Sequence, residues 1–157
     1  MSEKLRIAVG SDHAGFALKE KVREYLVNQG FQVEDLGARS ADSVDYPDFA
    51  EKVATRVAAK EAKFGVLVCG TGLGMAMSAN KIPGIRATPV TDTISACLAR
   101  AHNDANVLAL GARITDEATA EKILDTWLWT PFGGGRHARR VQKIDAIDKR
   151  HHAEKTT

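Results

Sequence analysis

Two loops carry most of the chemically capable residues of this 157-residue chain. The first reads Gly10-Ser11-Asp12-His13-Ala14-Gly15 and the second Cys69-Gly70-Thr71-Gly72-Leu73-Gly74. Glycines at the alternate positions 70, 72 and 74 let the backbone approach a ligand closely and turn several N–H groups toward it. Followed by a helix N-terminus, such a loop suits an anion: a phosphate, or an oxyanion that develops during a reaction. A dinucleotide fingerprint does not fit, because it should follow the first strand, where Gly10 and Gly15 have the wrong spacing. A P-loop does not fit either, because no Gly-Lys-Ser/Thr closes the loop. A plain glycine-rich turn is the remaining alternative.

Cys69 ends an apolar run just before these glycines. Backbone N–H groups beyond it would favour the thiolate, which could serve as nucleophile or base, whereas Cys97 on a helical stripe reads as inert core. The other titratable candidates are His13 beside Asp12, and His102 followed by Asn103-Asp104. No ligand pair has a zinc spacing and Cys69 has no partner thiol nearby, so no metal and no cofactor is expected. Arg136, Arg139 and Arg140 form the most basic stretch, and on a helix Arg136 and Arg140 share a face. Two guanidinium forks there, joined by His137 or Arg113, suit a phosphate. A solvated face and a weak nucleic-acid patch are the alternatives, and no aromatic residues interleave to stack on bases.

Behind the loops lies an ordinary globular composition, 44% hydrophobic and 27% charged. With 22 basic against 20 acidic residues, a net charge of +2 argues against a dedicated nucleic-acid or membrane-surface binder. Two cysteines make no disulfide framework, residues 1–9 make no signal peptide, and the longest apolar stretch, 65–70, is too short for a bilayer. A cytoplasmic protein is expected. Apolar runs at 5–9, 31–36, 66–69, 85–90 and 106–110 read as strands covered on both faces. Between them lie helical stripes: Ala17, Leu18, Val22, Tyr25 and Leu26, then Phe49, Val53 and Val57. Ile94, Cys97 and Leu98 form a third stripe, and Ile123, Trp127 and Leu128 a fourth. Gly30 suits a helix C-cap, Pro47 a first turn, and Asp92-Thr93 and Thr115-Asp116 two N-caps. Strand–helix alternation repeated five times predicts one domain with a three-layer α/β/α, Rossmann-like fold, in which helices cover both faces of a five-stranded parallel sheet. A polar loop at 37–48 could fold over a site, and a basic helical arm occupies 133–157. In such a sheet ligands sit beyond the carboxyl ends of the strands, which is where both loops fall.

Taken together, both loops, Ala79-Asn80-Lys81, Gly84-Ile85-Arg86-Ala87, residues 102–108 from His102-Asn103-Asp104 onward, and Gly134-Gly135-Arg136-His137 resemble the type B ribose-5-phosphate isomerases. That family includes allose-6-phosphate isomerases and the galactose-6-phosphate isomerase subunits, and the match runs in order from about residue 5 to residue 150. The resemblance implies a metal-free aldose–ketose isomerase working through an enediolate. Cys69 would be the base, Thr71 and the N–H groups of Gly70, Gly72 and Gly74 would hold the oxyanion, and His102 would assist ring opening. Asp12, Tyr46 and Asn103 would bind sugar hydroxyls; His13, Arg136 and Arg140 would hold the phosphate with Arg113 nearby. One branch of the family uses a glutamate base where this chain has Met75, so the cysteine branch is the better match. Other sugar phosphates, and a non-catalytic sugar-phosphate-binding subunit, remain alternatives.

His102 and Arg113 flank the last strand at opposite ends, roughly 20 Å apart at about 3.3 Å per extended residue. A pentose phosphate spans about half of that. The expectation is therefore a homodimer with a composite site, His102 and Asn103 entering the pocket of a symmetry-related chain. Such dimers could pair further into a tetramer.

Overall fold

The apolar runs form one parallel sheet in a computed structural model that describes residues 3–152. The strands are β1 (Arg6–Ser11), β2 (Gln32–Asp35), β3 (Phe64–Cys69), β4 (Ala87–Pro89) and β5 (Val107–Gly111), in spatial order β2-β1-β3-β5-β4. The third strand is longer than its expected 66–69 and the fourth is shorter than 85–90. Pro89 can sit in β4 because β4 is an edge strand, where a missing N–H costs no internal ladder bond. The helices are α1 (Phe16–Asn28), α2 (Tyr46–Ala58), α3 (Leu73–Ala79), α4 (Thr93–Ala101), α5 (Glu117–Trp129) and α6 (Arg136–His152).

β3 and β5 are buried along their whole lengths, as a sheet covered on both faces requires. Val22 and Leu26 of α1, Ala96 of α4, and Ile123 and Trp127 of α5 pack against Val9, Val66, Val68 and Leu108 on one face. Val53 and Val57 of α2 and Met75 and Ala79 of α3 cover Ala8, Leu67 and Ala109 on the other. Trp127, fully buried, meets Phe64 edge-on at 4.8 Å. The expected caps are in place: Asp92 accepts from the Ser95 N–H at 2.7 Å and Asp116 from the Thr119 N–H at 2.8 Å. Gly30 follows α1 with φ +95°, the left-handed geometry that ends a helix. No described helix is long and apolar enough to cross a membrane.

Two stripes differ from expectation. In α4, Ile94 and Leu98 face outward, Cys97 is half-buried, and Ala96, Ala99 and Arg100 face the core. Small residues there let α4 sit close to the sheet, which leaves the larger side chains on its outer surface. In α1, Ala17 is exposed and Lys19 is fully buried. The Lys19 ammonium lies 3.0 Å from both Asp35 oxygens, 3.1 Å from Glu20 and 2.6 Å from the Ala38 carbonyl. Only such saturation makes a buried charge tolerable. Lys19 thereby pins the chain after β2, where Gly37 and Ala38 exchange backbone hydrogen bonds with Ser11 at 2.7 and 2.9 Å. The clasp fixes β1 immediately before Asp12 and His13.

Candidate active site

β1 and β3 are neighbours whose following connections leave in opposite directions, since β1 leads outward to β2 and β3 leads toward β5 and β4. Their carboxyl ends therefore open a crevice between the two loops. In that crevice Cys69 forms part of the wall of a cleft of about 300 Å³, which Asp12, His13, Tyr46, Gly70, Thr71, Gly74 and Arg113 also line. Larger hollows, about 1070 Å³ beside α2 and about 570 Å³ at the amino-terminal edge of the sheet, contain neither glycine loop nor any cysteine.

Cys69 is 4% exposed, and its Sγ accepts the Gly72 N–H at 3.1 Å. Gly72 itself adopts φ +81°, a conformation that a residue with a Cβ rarely takes, where the loop turns into α3. Thr71 Oγ1 accepts from the Leu73 N–H at 3.3 Å, which sets the hydroxyl at the cleft mouth. The chain beyond β5 closes the cleft: the Ala112 and Arg113 N–H groups donate to the Cys69 and Gly70 carbonyls at 2.8 and 3.0 Å. The Arg113 guanidinium then lies against Gly70, close enough that a Cβ there would stand 3.2 Å from Nη1. Tyr46, at the start of α2, lays its ring against Gly74.

Asp12 Oδ1 accepts the Gly15 N–H at 2.9 Å and so shapes the turn into α1. His13 Nδ1 lies 3.2 Å from both the amide nitrogen and the carbonyl oxygen of Val44. One of these contacts can form in either tautomer, so Val44 orients the ring while leaving Nε2 for the cleft. This contact comes from the long polar loop, which ends at Asp45 where α2 begins. Val44 and Lys19 were not among the expected site-forming residues. The signals available were one apolar side chain in a polar loop and one lysine within an apolar stripe.

The other expected residues gather at the opposite edge of the sheet. His102 caps α4, and Asn103 follows before β5 begins at Val107. The His102 ring stacks on His137 at 4.1 Å and 13° between planes. The Gly133 N–H donates to the Ala101 carbonyl at 2.9 Å, bringing the start of α6 and its Arg136 alongside. Desolvation, then His102, Arg136 and Arg140, hold the His137 imidazole below the usual histidine value. A single chain therefore does not assemble the expected phosphate set. His13 and Arg113 line the cleft, Arg136 and Arg140 belong with His102, and β5 runs about 17 Å between the two groups. Arg113 accordingly does not join the arginines of the arm. Met75 is fully buried against the sheet, away from the cleft lining. Among the described residues no three His, Cys, Asp or Glu side chains cluster as a metal site.

The comparisons agree on one family. The sequence pattern of the Ribose/Galactose Isomerase family matches residues 7–144. Ribose-5-phosphate isomerase B of Escherichia coli (strain K12) is 46% identical over 145 residues, 92% of this chain and 97% of that protein. Among solved structures, ribose-5-phosphate isomerase B of Clostridium thermocellum superposes with a TM-score of 0.92 at 48% identity, covering 94% of this chain and 99% of the other. The Mycoplasma genitalium enzyme with bound ribulose-5-phosphate gives a TM-score of 0.90 at 41% identity, with coverages of 94% and 99%. With its parallel sheet, its crevice between β1 and β3 and these relatives, the chain belongs to the ribose/galactose isomerase family.

Proposed function

We propose that this protein interconverts ribose 5-phosphate and ribulose 5-phosphate through an enediolate, with Cys69 as the base. The observation that carries the assignment is the Gly72 N–H donating to Cys69 Sγ inside a cleft lined by Thr71, His13 and Arg113. The thiolate takes the C2 proton of the open-chain aldose and returns it to C1, while the O2 proton passes to O1. No net oxidation occurs. Thr71 and the N–H groups of the loop hold the charge that develops on oxygen, which matters because donors aimed at the transition state contribute more than uniform binding. Asp12 and Tyr46 bind sugar hydroxyls, and His13 and Arg113 face the phosphate.

The remaining groups come from a second copy. In a two-fold dimer the partner's His102 moves a proton to the ring oxygen during ring opening, its Asn103 binds a hydroxyl, and its Arg136 and Arg140 complete the phosphate site. The separation of these residues from Cys69 within one chain supports this arrangement. So do the exposed Leu73 and Met77 of α3 and Ile94 and Leu98 of α4, apolar side chains one helical turn apart that suit burial against another surface. Both cysteines are free, which fits the reducing cytoplasm.

The test compares rates on ribose 5-phosphate, allose 6-phosphate, galactose 6-phosphate and a tetrose phosphate, for the wild type and for Cys69→Ser. The pentose phosphate should be fastest. The variant should lose about 10²–10⁴-fold in kcat with KM nearly unchanged, the range for removal of a general base. A variant that keeps most of its kcat would make Cys69 structural.

A further inference from the structure

We infer that Arg86 is a positioning residue, which holds the His102–Asn103 turn and helix α6 as one rigid wing. It lies just before β4, in the Gly84-Ile85-Arg86-Ala87 segment to which the chemistry above gives no role. Its side chain is 17% exposed and its donors all point toward elements that carry the second group of site residues. Nε donates to the Asn103 carbonyl at 3.2 Å and to the Asp104 carbonyl at 3.0 Å. Nη1 donates to Asp145 of α6 at 2.9 Å, and Nη2 lies 3.5 Å from Asp104 Oδ2.

The fork thus joins the turn after α4 to a helix far along the chain. The turn needs holding: Asp104 adopts φ +47°, a left-handed conformation unfavourable for a residue with a side chain. A second tie runs from the Gly84 N–H to Asp148 at 2.9 Å, and the His102–His137 stack lies in the same wing. A planar guanidinium with donors on two edges spans these acceptors, whereas a lysine ammonium would have to choose among them. With Arg86 in place, His102, Asn103, Arg136 and Arg140 are presented to the partner's cleft as a unit. Without it the turn keeps the Arg100 contacts to Asp104 and Ala105, and α6 keeps the Gly84–Asp148 tie and the ring stack. The direct link between turn and helix is lost, however, and their relative placement loosens. A misplacement of about 1 Å in a reacting group can cost on the order of 100-fold in rate.

This inference rests on the composite site proposed above, and subunit mixing separates the two. Cys69→Ala mixed with His102→Ala, each inactive alone, should regain about a quarter of the sites in randomly formed dimers. No recovery in that control, with subunits exchanging, would overturn the composite site itself. Given recovery, Arg86→Met should be nearly inactive alone, regain about a quarter of the sites with Cys69→Ala, and regain nothing with His102→Ala. A lesion that merely loosened the fold would spoil its own cleft as well and would not be rescued by Cys69→Ala. That outcome, or an Arg86→Met homodimer with most of its kcat, would overturn the inference. If Arg86→Met does not fold, Asp145→Ala removes the acceptor of Arg86 Nη1 and so cuts only the link to α6; it should fall in the same mixing class with a smaller loss, and normal activity of Asp145→Ala would equally overturn the inference.

Discussion

Replacing Gly74 by Ala should remove activity while leaving the fold at least as stable. An ideal Cβ at this position would stand 2.5 Å from Tyr46 Cζ and 2.9 Å from its hydroxyl oxygen. Ordinary contact begins at 3.4 Å, so the ring must retreat by 3.4 − 2.5, about 0.9 Å. Displacing a substrate contact by about 1 Å can cost on the order of 100-fold, or about 2.7 kcal/mol of transition-state stabilisation. Gly74 lies within α3, where Ala is favoured over Gly by about 0.5–1 kcal/mol, so the melting temperature should hold or rise. Activity and stability are thus expected to move in opposite directions, which generic damage would not produce. The assay measures initial rates and thermal melting for Gly74→Ala, Tyr46→Ala and the double variant. Once the ring is gone the added methyl has nothing to displace, so the double variant should resemble Tyr46→Ala. Undiminished kcat/KM in Gly74→Ala, or losses that simply add in the double variant, would refute the reasoning.

Arg140→Ala should raise KM for ribose 5-phosphate well beyond its effect on unphosphorylated ribose, as comparative kinetics on the two sugars would register; equal losses on both would detach Arg140 from the phosphate. Asp116→Ala removes the side chain that accepts the Thr119 N–H at 2.8 Å and should cost about 1 kcal/mol in urea unfolding with kcat unchanged.

The layered sheet was legible because its strands are buried on both faces and so appear as unbroken Val, Ile and Leu runs rather than alternating ones. Cys69 and the glycines were legible because few other roles require three glycines at alternate positions after a strand. Which face of a helix turns inward was less so. In α4 the periodicity of Ile94 and Leu98 is genuine, yet it marks the outer surface, since periodicity reports a stripe and not what covers it. Lys19 escaped for a related reason: its partners, Asp35 and the Ala38 carbonyl, lie beyond an entire helix, and a lysine inside an apolar stripe reads as a surface residue until they are placed. Separation of His102 from Arg113 could be read from chain order alone, because a strand of known rise lies between them. The association of His102 with His137 could not, since it depends on α6 folding back to the start of β5.

The composite site proposed above would make catalytic capacity depend on concentration. A single folded chain would be inert until it met a second one. Well below the dimer dissociation constant, turnover should rise with the square of the number of chains, and well above it only in proportion. A cell holding few copies would therefore see a threshold where a self-sufficient enzyme would give a straight line. Dilution, which leaves every bond within the chain intact, would be enough to switch the chemistry off.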